Sequence, residues 1–198
     1  MSWTTGTQTE ALSVGNANGS AYNTSTTATV ISPATGGGYC PANFWLPSYG
    51  ISKSLLVKAS GVLSDTTTPN LTLAIVANTT QGTPPATLTT GTAGVLATTG
   101  TVAQASGVTN IMWELDCVIS NVTTGSSGTF LTMGVVKYYI TPASAVQSAR
   151  ISSSTANPNT TATLSTQSAY YIELAALWGT NSSSNTIQCY AYTVLGLN

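Results

Sequence analysis

The chain has 198 residues, 42% hydrophobic and only 5% charged, with a formal net charge of −1 and no histidine. That length normally makes one domain with a real core. A surface so poor in charge owes its solubility to Ser, Thr, Asn and Gln and suits contact with other protein. Lys53, Lys58, Lys137 and Arg150 are too few and too dispersed to neutralise a run of phosphates, which argues against nucleic acid. Without imidazole the chain has no Ser-His-Asp or Cys-His arrangement and no histidine metal ligand.

Residues 1–50 are biased toward Thr, Ser, Gly, Ala and Asn without sustained periodicity, the pattern of an extended arm. Met1-Ser2-Trp3-Thr4-Thr5-Gly6 lacks the basic start and apolar core of a signal peptide, so neither export nor membrane insertion is expected. Trp3, Tyr22, Tyr39, Phe44, Trp45 and Tyr49 are aromatic anchors with which the arm packs on its own body or clamps or exchanges with a neighbour. Gly36-Gly37-Gly38 precedes Tyr39-Cys40-Pro41 and no helix, so it reads as a hinge or turn and not a phosphate loop.

From about residue 51 strands take over. A strand-length apolar run within 51–63 is followed by a turn over 64–70 and a second strand from Leu71 to Ala77, with Leu71, Leu73 and Ile75 on one face. Residues 78–107 are rich in Thr, Gly, Ala and Pro, and Pro84-Pro85 opposes a helix. This is a long excursion with one short strand near Gly94–Ala97, and partner contact is its expected use.

In 111–119, Ile111, Trp113, Leu115, Cys117 and Ile119 alternate with Glu114 and Asp116, the cleanest one-face-in strand of the chain. Thr129 to Ile140 is another, with Leu131, Met133, Val135 and Tyr139 on one side, and a shorter one follows about Val146 to Ser152. Tyr170–Leu177 and Ile187–Leu195 flank the polar segment Trp178–Thr186, which reads as a hairpin. There Trp178 closes the core and its N–H reaches a polar partner.

No 3.6-residue apolar period persists anywhere. About eight strands with long loops fit an all-β, antiparallel two-sheet sandwich of the jelly-roll kind, residues 51–198, preceded by the extended N-terminal arm, residues 1–50.

Glu114 and Asp116 are the only closely spaced carboxylates, a spacing usable by a glycosidase or a Ca²⁺ site, although a solvated strand face explains them more simply. Lys137 is placed to pair across strands with that face. Cys40, Cys117 and Cys189 lack Cys-x-x-Cys spacing and read as buried thiols. Aromatics on the arm and at strand ends suit stacking on sugar rings, but no amide or charged cluster beside them is legible.

Lys53-Ser54-Leu55-Leu56-Val57-Lys58-Ala59-Ser60-Gly61, Trp113-Glu114-Leu115, Gly125-Ser126-Ser127-Gly128-Thr129 and Trp178-Gly179-Thr180 with Ser184-Asn185-Thr186-Ile187 occur in an order and spacing that resembles small β-rich structural proteins of tailed bacteriophages. The resemblance spans about 51–198, and the arm carries none of it. It implies a virion component with no catalytic residues to carry over.

The expectation is a capsid decoration or cement protein on the phage head surface, made in the host cytoplasm, homotrimeric and bound to the major capsid protein. No enzyme activity, cofactor, metal, membrane or small-molecule substrate is expected. The candidate interface comprises Trp3, Tyr39, Phe44, Trp45, Tyr49, Pro84 and Pro85. The alternative is a tail-fibre or receptor-binding module that recognises a glycan.

Overall fold

Strands that alternate apolar and polar residues can leave one face in water, and they build the first of two layers. In the computed structural model, which describes residues 9–15, 19, 21–23, 26–33, 38–46, 53–66, 68–141, 145–154 and 162–197, this layer runs in the order β1 (Thr9–Gly15), β14 (Thr186–Leu197), β5 (Ser54–Ser64), β9 (Ile111–Thr123), β10 (Gly128–Thr141) and β11 (Ala145–Ser152). Two short pieces extend it, β2 (Tyr22–Asn23) on β14 and β12 (Ala162–Leu164) on β10. On β9, Trp113, Leu115, Cys117 and Ile119 are buried inward, while Met112, Glu114, Asp116 and Val118 take the other face, as the alternation predicts.

The second layer consists of β7 (Val95–Thr98), β6 (Asn70–Asn78) and β13 (Tyr170–Trp178). On the far edge of β13 lie β3 (Thr29–Val30) and β4 (Gly38–Cys40), and β8 (Val102–Ala103) pairs with β6. β6 and β13 are near-continuous apolar runs because both of their faces are covered. Leu71, Leu73, Ile75, Ile172, Leu174 and Trp178 meet the first layer. On the outer side, Ala74, Val76 and Ala175 lie in a second cluster with Ala28, Val95 and the buried Leu88. Leu88 belongs to the excursion after β6, so residues 79–94 form a roof over the chain's own sheet. The expected short strand in this excursion is β7.

Every strand pair is antiparallel, and one residue pair, Ser152 with Thr98, links the layers at an edge so that the sheet curls over on itself. The chain crosses between layers after β2, β4, β5, β8, β12 and β13. The fold is the expected all-β, antiparallel, two-layer sandwich of jelly-roll kind.

The last two long strands do not form the expected hairpin. β13 pairs with β6, β3 and β4, whereas β14 pairs with β5, β1 and β2. Burial explains it: β13 is apolar on both faces and needs the roofed layer, while β14 alternates and tolerates a solvated face. The two strands oppose each other across the core, where the Tyr192 hydroxyl donates to the Ile172 carbonyl at 2.8 Å. Trp178 does close the core, but its Nε1 has no hydrogen-bond partner among the described residues.

The described part of residues 1–50 is built into the body. β1 and β2 pair with β14, β3 and β4 pair with β13, and Tyr22, Ile31, Phe44 and Trp45 share the core with Val57 and Trp113. Lys53 Nζ lies 4.6 Å from the centroid of the Phe44 ring and ties this segment to the start of β5. Cys40, Cys117 and Cys189 are buried, and burial pushes the Cys117 and Cys189 thiols up to about 12.

Candidate docking face and cleft

The register of the first layer aligns its outward residues in rows across the strands. One row is wholly apolar over five strands, running Met133, Val118, Leu56, Leu195 and Ala11 from β10 to β1. Met133 is 64% exposed, and Met112, near the opposite end of β9, is 63% exposed. Monomeric proteins rarely leave such contiguous apolar surface without use.

Beside this row lie charges. Lys58, Glu114, Asp116, Lys137 and Arg150 are five of the nine Lys, Arg, Asp and Glu residues of the chain. They are largely neutralised by one another: Lys58 Nζ sits 2.8 Å from Asp116 Oδ1 and Lys137 Nζ 2.9 Å from Glu114 Oε1. The Tyr139 hydroxyl also donates to Glu114 Oε1 at 2.6 Å. That hydroxyl first, and Lys137 second, hold the Glu114 carboxyl below its ordinary value. A glycosidase pair needs one carboxyl raised to act as acid, and Glu114 is shifted the other way. Both carboxylates line a basin of about 220 Å³ with Lys58, Ser60, Ala191 and Thr193.

The residues expected at an interface are divided by the fold. Phe44 and Trp45 are corrected to core positions: Trp45 lies edge-on to Phe130 at 4.7 Å and to Phe44 at 5.2 Å, and both are buried. Aromatic rings in a polar segment reach the core because short strands of that segment cap both layers. Trp3 and Tyr49 lie outside the described residues. Tyr39, Pro84 and Pro85 converge on one end of the second layer. Tyr39 is 49% exposed and packs on Tyr171 at 5.4 Å. Tyr171 pairs in register with Asn78, and Asn78 lines a cleft of about 400 Å³ with Pro84, Pro85, Thr83, Leu164 and Tyr170.

A buried carboxylate fixes the wall of this cleft. Glu173 is wholly buried under the root of the roof; Asn78 Nδ2 donates to its Oε2 at 2.6 Å, and the Gly82 N–H donates to Oε1 at 3.0 Å and Oε2 at 3.2 Å. Burial raises the Glu173 pKa, and the Asn78 and Gly82 bonds oppose that rise. Gly82 and Gly94, at φ +77° and +82°, make the turns that bring the roof back, and the Gly94 carbonyl accepts the Ala77 N–H at 2.7 Å.

Sequence reading missed two features. The outward apolar row had a signal, since Leu131, Met133 and Val135 share a side that the fold turns outward. The Glu173–Asn78 pair had none, because Asn78 is 95 residues away in sequence and on another strand.

No protein-family model matches this chain, and no curated protein matches it. Among solved structures the chain is similar to arcelin-5, a lectin-like defense protein from Phaseolus vulgaris, at a TM-score of 0.39 and 10% identity over 77% of this chain and 74% of that one. It is also similar to a Lotus tetragonolobus seed lectin (isoform), at a TM-score of 0.35 and 9% identity over 78% of this chain and 77% of that one.

Proposed function

We propose that this chain is a virion structural protein of a tailed bacteriophage, a capsid decoration or cement protein that docks through the outer face of its first layer. The observation that carries the reading is the row Met133, Val118, Leu56, Leu195 and Ala11, set beside charges that already neutralise one another. Covering such a face removes apolar surface from water and requires no counter-charge from the partner. The occupant is therefore an apolar, weakly charged protein surface, that of the major capsid protein, with the decoration protein arranged as a homotrimer.

Binding the assembled lattice and not its free subunits stabilises the lattice by mass action. Weak contacts repeated over a shell then add by avidity. The expected behaviour is a fixed, high ratio of this protein to the coat protein in purified particles, and DNA release at lower temperature from particles lacking it. Identical heat release with and without the protein would sink the cement role, and a copy number matching a tail structure would overturn the head assignment.

A further inference from the structure

We infer that the cleft between the root of the roof and the start of β13 is a binding site for a neutral, hydroxyl-rich ligand of the carbohydrate class, with Asn78 Oδ1 accepting a ligand hydroxyl. The cleft shares no residue with the apolar row, so the site stands apart from the docking face.

Size and lining come first. A volume of about 400 Å³ is within the range of small-molecule sites. Pro84, Pro85, Leu164 and Tyr170 supply apolar wall, and Thr79, Thr80 and Thr83 supply hydroxyls; among the described residues no charged side chain lines the cleft. A ligand with apolar C–H faces and several hydroxyls matches that combination, whereas an ion would find no countercharge.

The buried pair then decides what the wall offers. A carboxylate accepts and cannot donate, so Asn78 must turn its NH₂ toward Glu173. That leaves Oδ1 without a partner among the described residues, on a residue that lines the cleft. A fixed acceptor selects a donor, and a site built around a ligand hydroxyl rejects analogues that lack it. The Gly82 bonds to the same carboxylate hold the adjoining turn, so the wall is set before any ligand arrives.

The full chain, ¹⁵N-labelled, should be titrated separately with the methyl glycosides of glucose, galactose, mannose and N-acetylglucosamine to about 50 mM each, because a shallow site with few hydrogen bonds gives millimolar affinity. The expected result is saturable amide shifts at Asn78, Gly82, Thr83 and Gly94 with at least one probe. Asn78→Ala is expected to weaken that probe about ten-fold. Glu173→Gln lets Asn78 turn its NH₂ to the cleft and should weaken it similarly, with the melting transition retained. Thr83→Val, at an exposed position, tests the site even if either buried change prevents folding, and should also weaken binding. Absence of saturable shifts with all four probes, shifts confined to other surfaces, or undiminished affinity in every folded variant would overturn the inference.

Discussion

Glu173→Ala removes the carboxylate that anchors the root of the roof. Two donors lose their acceptor, Asn78 Nδ2 and the Gly82 N–H. Gly82 is exposed and can turn to water, whereas Asn78 is buried. The main loss is therefore one buried donor left unmet, ~1–3 kcal/mol near neutral pH. For a chain of this size that lowers the Tm by about 2–12 °C.

The pH dependence has a definite sign. Burial raises the folded pKa of Glu173 above its ordinary 4.5. Between 4.5 and the raised value the folded chain binds more protons than the unfolded one, so stability falls as pH rises through that window. The alanine variant lacks this contribution. Its deficit relative to the parent should be largest at the acid end and shrink toward neutrality. Urea unfolding of both proteins across the window reads this directly. The shared contributions of Asp65, raised by burial, and Glu114, lowered by Tyr139, cancel in the difference. A deficit that stays constant, or grows with pH, would refute the reasoning.

Other residues give sharp contrasts. Trp178→Ala should cost about 3–5 kcal/mol in denaturant unfolding, because the ring is fully buried. Trp178→Phe should cost clearly less than Trp113→Phe, since Trp113 Nε1 donates to the Val62 carbonyl at 3.2 Å and Trp178 Nε1 has no partner among the described residues; equal losses would contradict this. A Cβ at Gly61 would run into the Gln188 carbonyl oxygen, so Gly61→Ala should destabilise by about 1–3 kcal/mol, and an unchanged Tm would show that the β5–β14 pairing can give way. In a carboxyl NMR titration Tyr139→Phe and Lys137→Met should each raise the Glu114 midpoint, and an unchanged midpoint in Tyr139→Phe would assign the effect to charge and not to the hydroxyl.

Much of the architecture was legible because alternation is written locally. Trp113, Leu115, Cys117 and Ile119 specify an inward face by themselves, and the Lys137–Glu114 ion pair follows from two outward residues on adjacent strands. Strand partners are not written locally. Tyr170–Trp178 reads as half of a hairpin until the roof is known, and the roof depends on Leu88 reaching Ala74, Val76 and Ala175. The arm resisted reading for a related reason: β2, β3 and β4 are two or three residues long, too short to show a period, yet they bring Phe44 and Trp45 into the core. The docking face was visible but unsigned, since Leu131, Met133 and Val135 could be placed on one side without knowing which side faces water. The cleft was invisible, because Glu173 stands alone in sequence and acquires a partner only when β6 lies beside β13.

The proposal that the first layer docks on a coat lattice is tested most directly by Val118→Glu combined with Met133→Glu. Both side chains are exposed and in register on neighbouring strands, so the facing like charges should cost no more than about 1 kcal/mol and the double variant should stay folded. Mixed with particles stripped of this protein and sedimented, the parent should load to saturation and the double variant should remain in the supernatant. Equal loading of a folded double variant would contradict docking through this face.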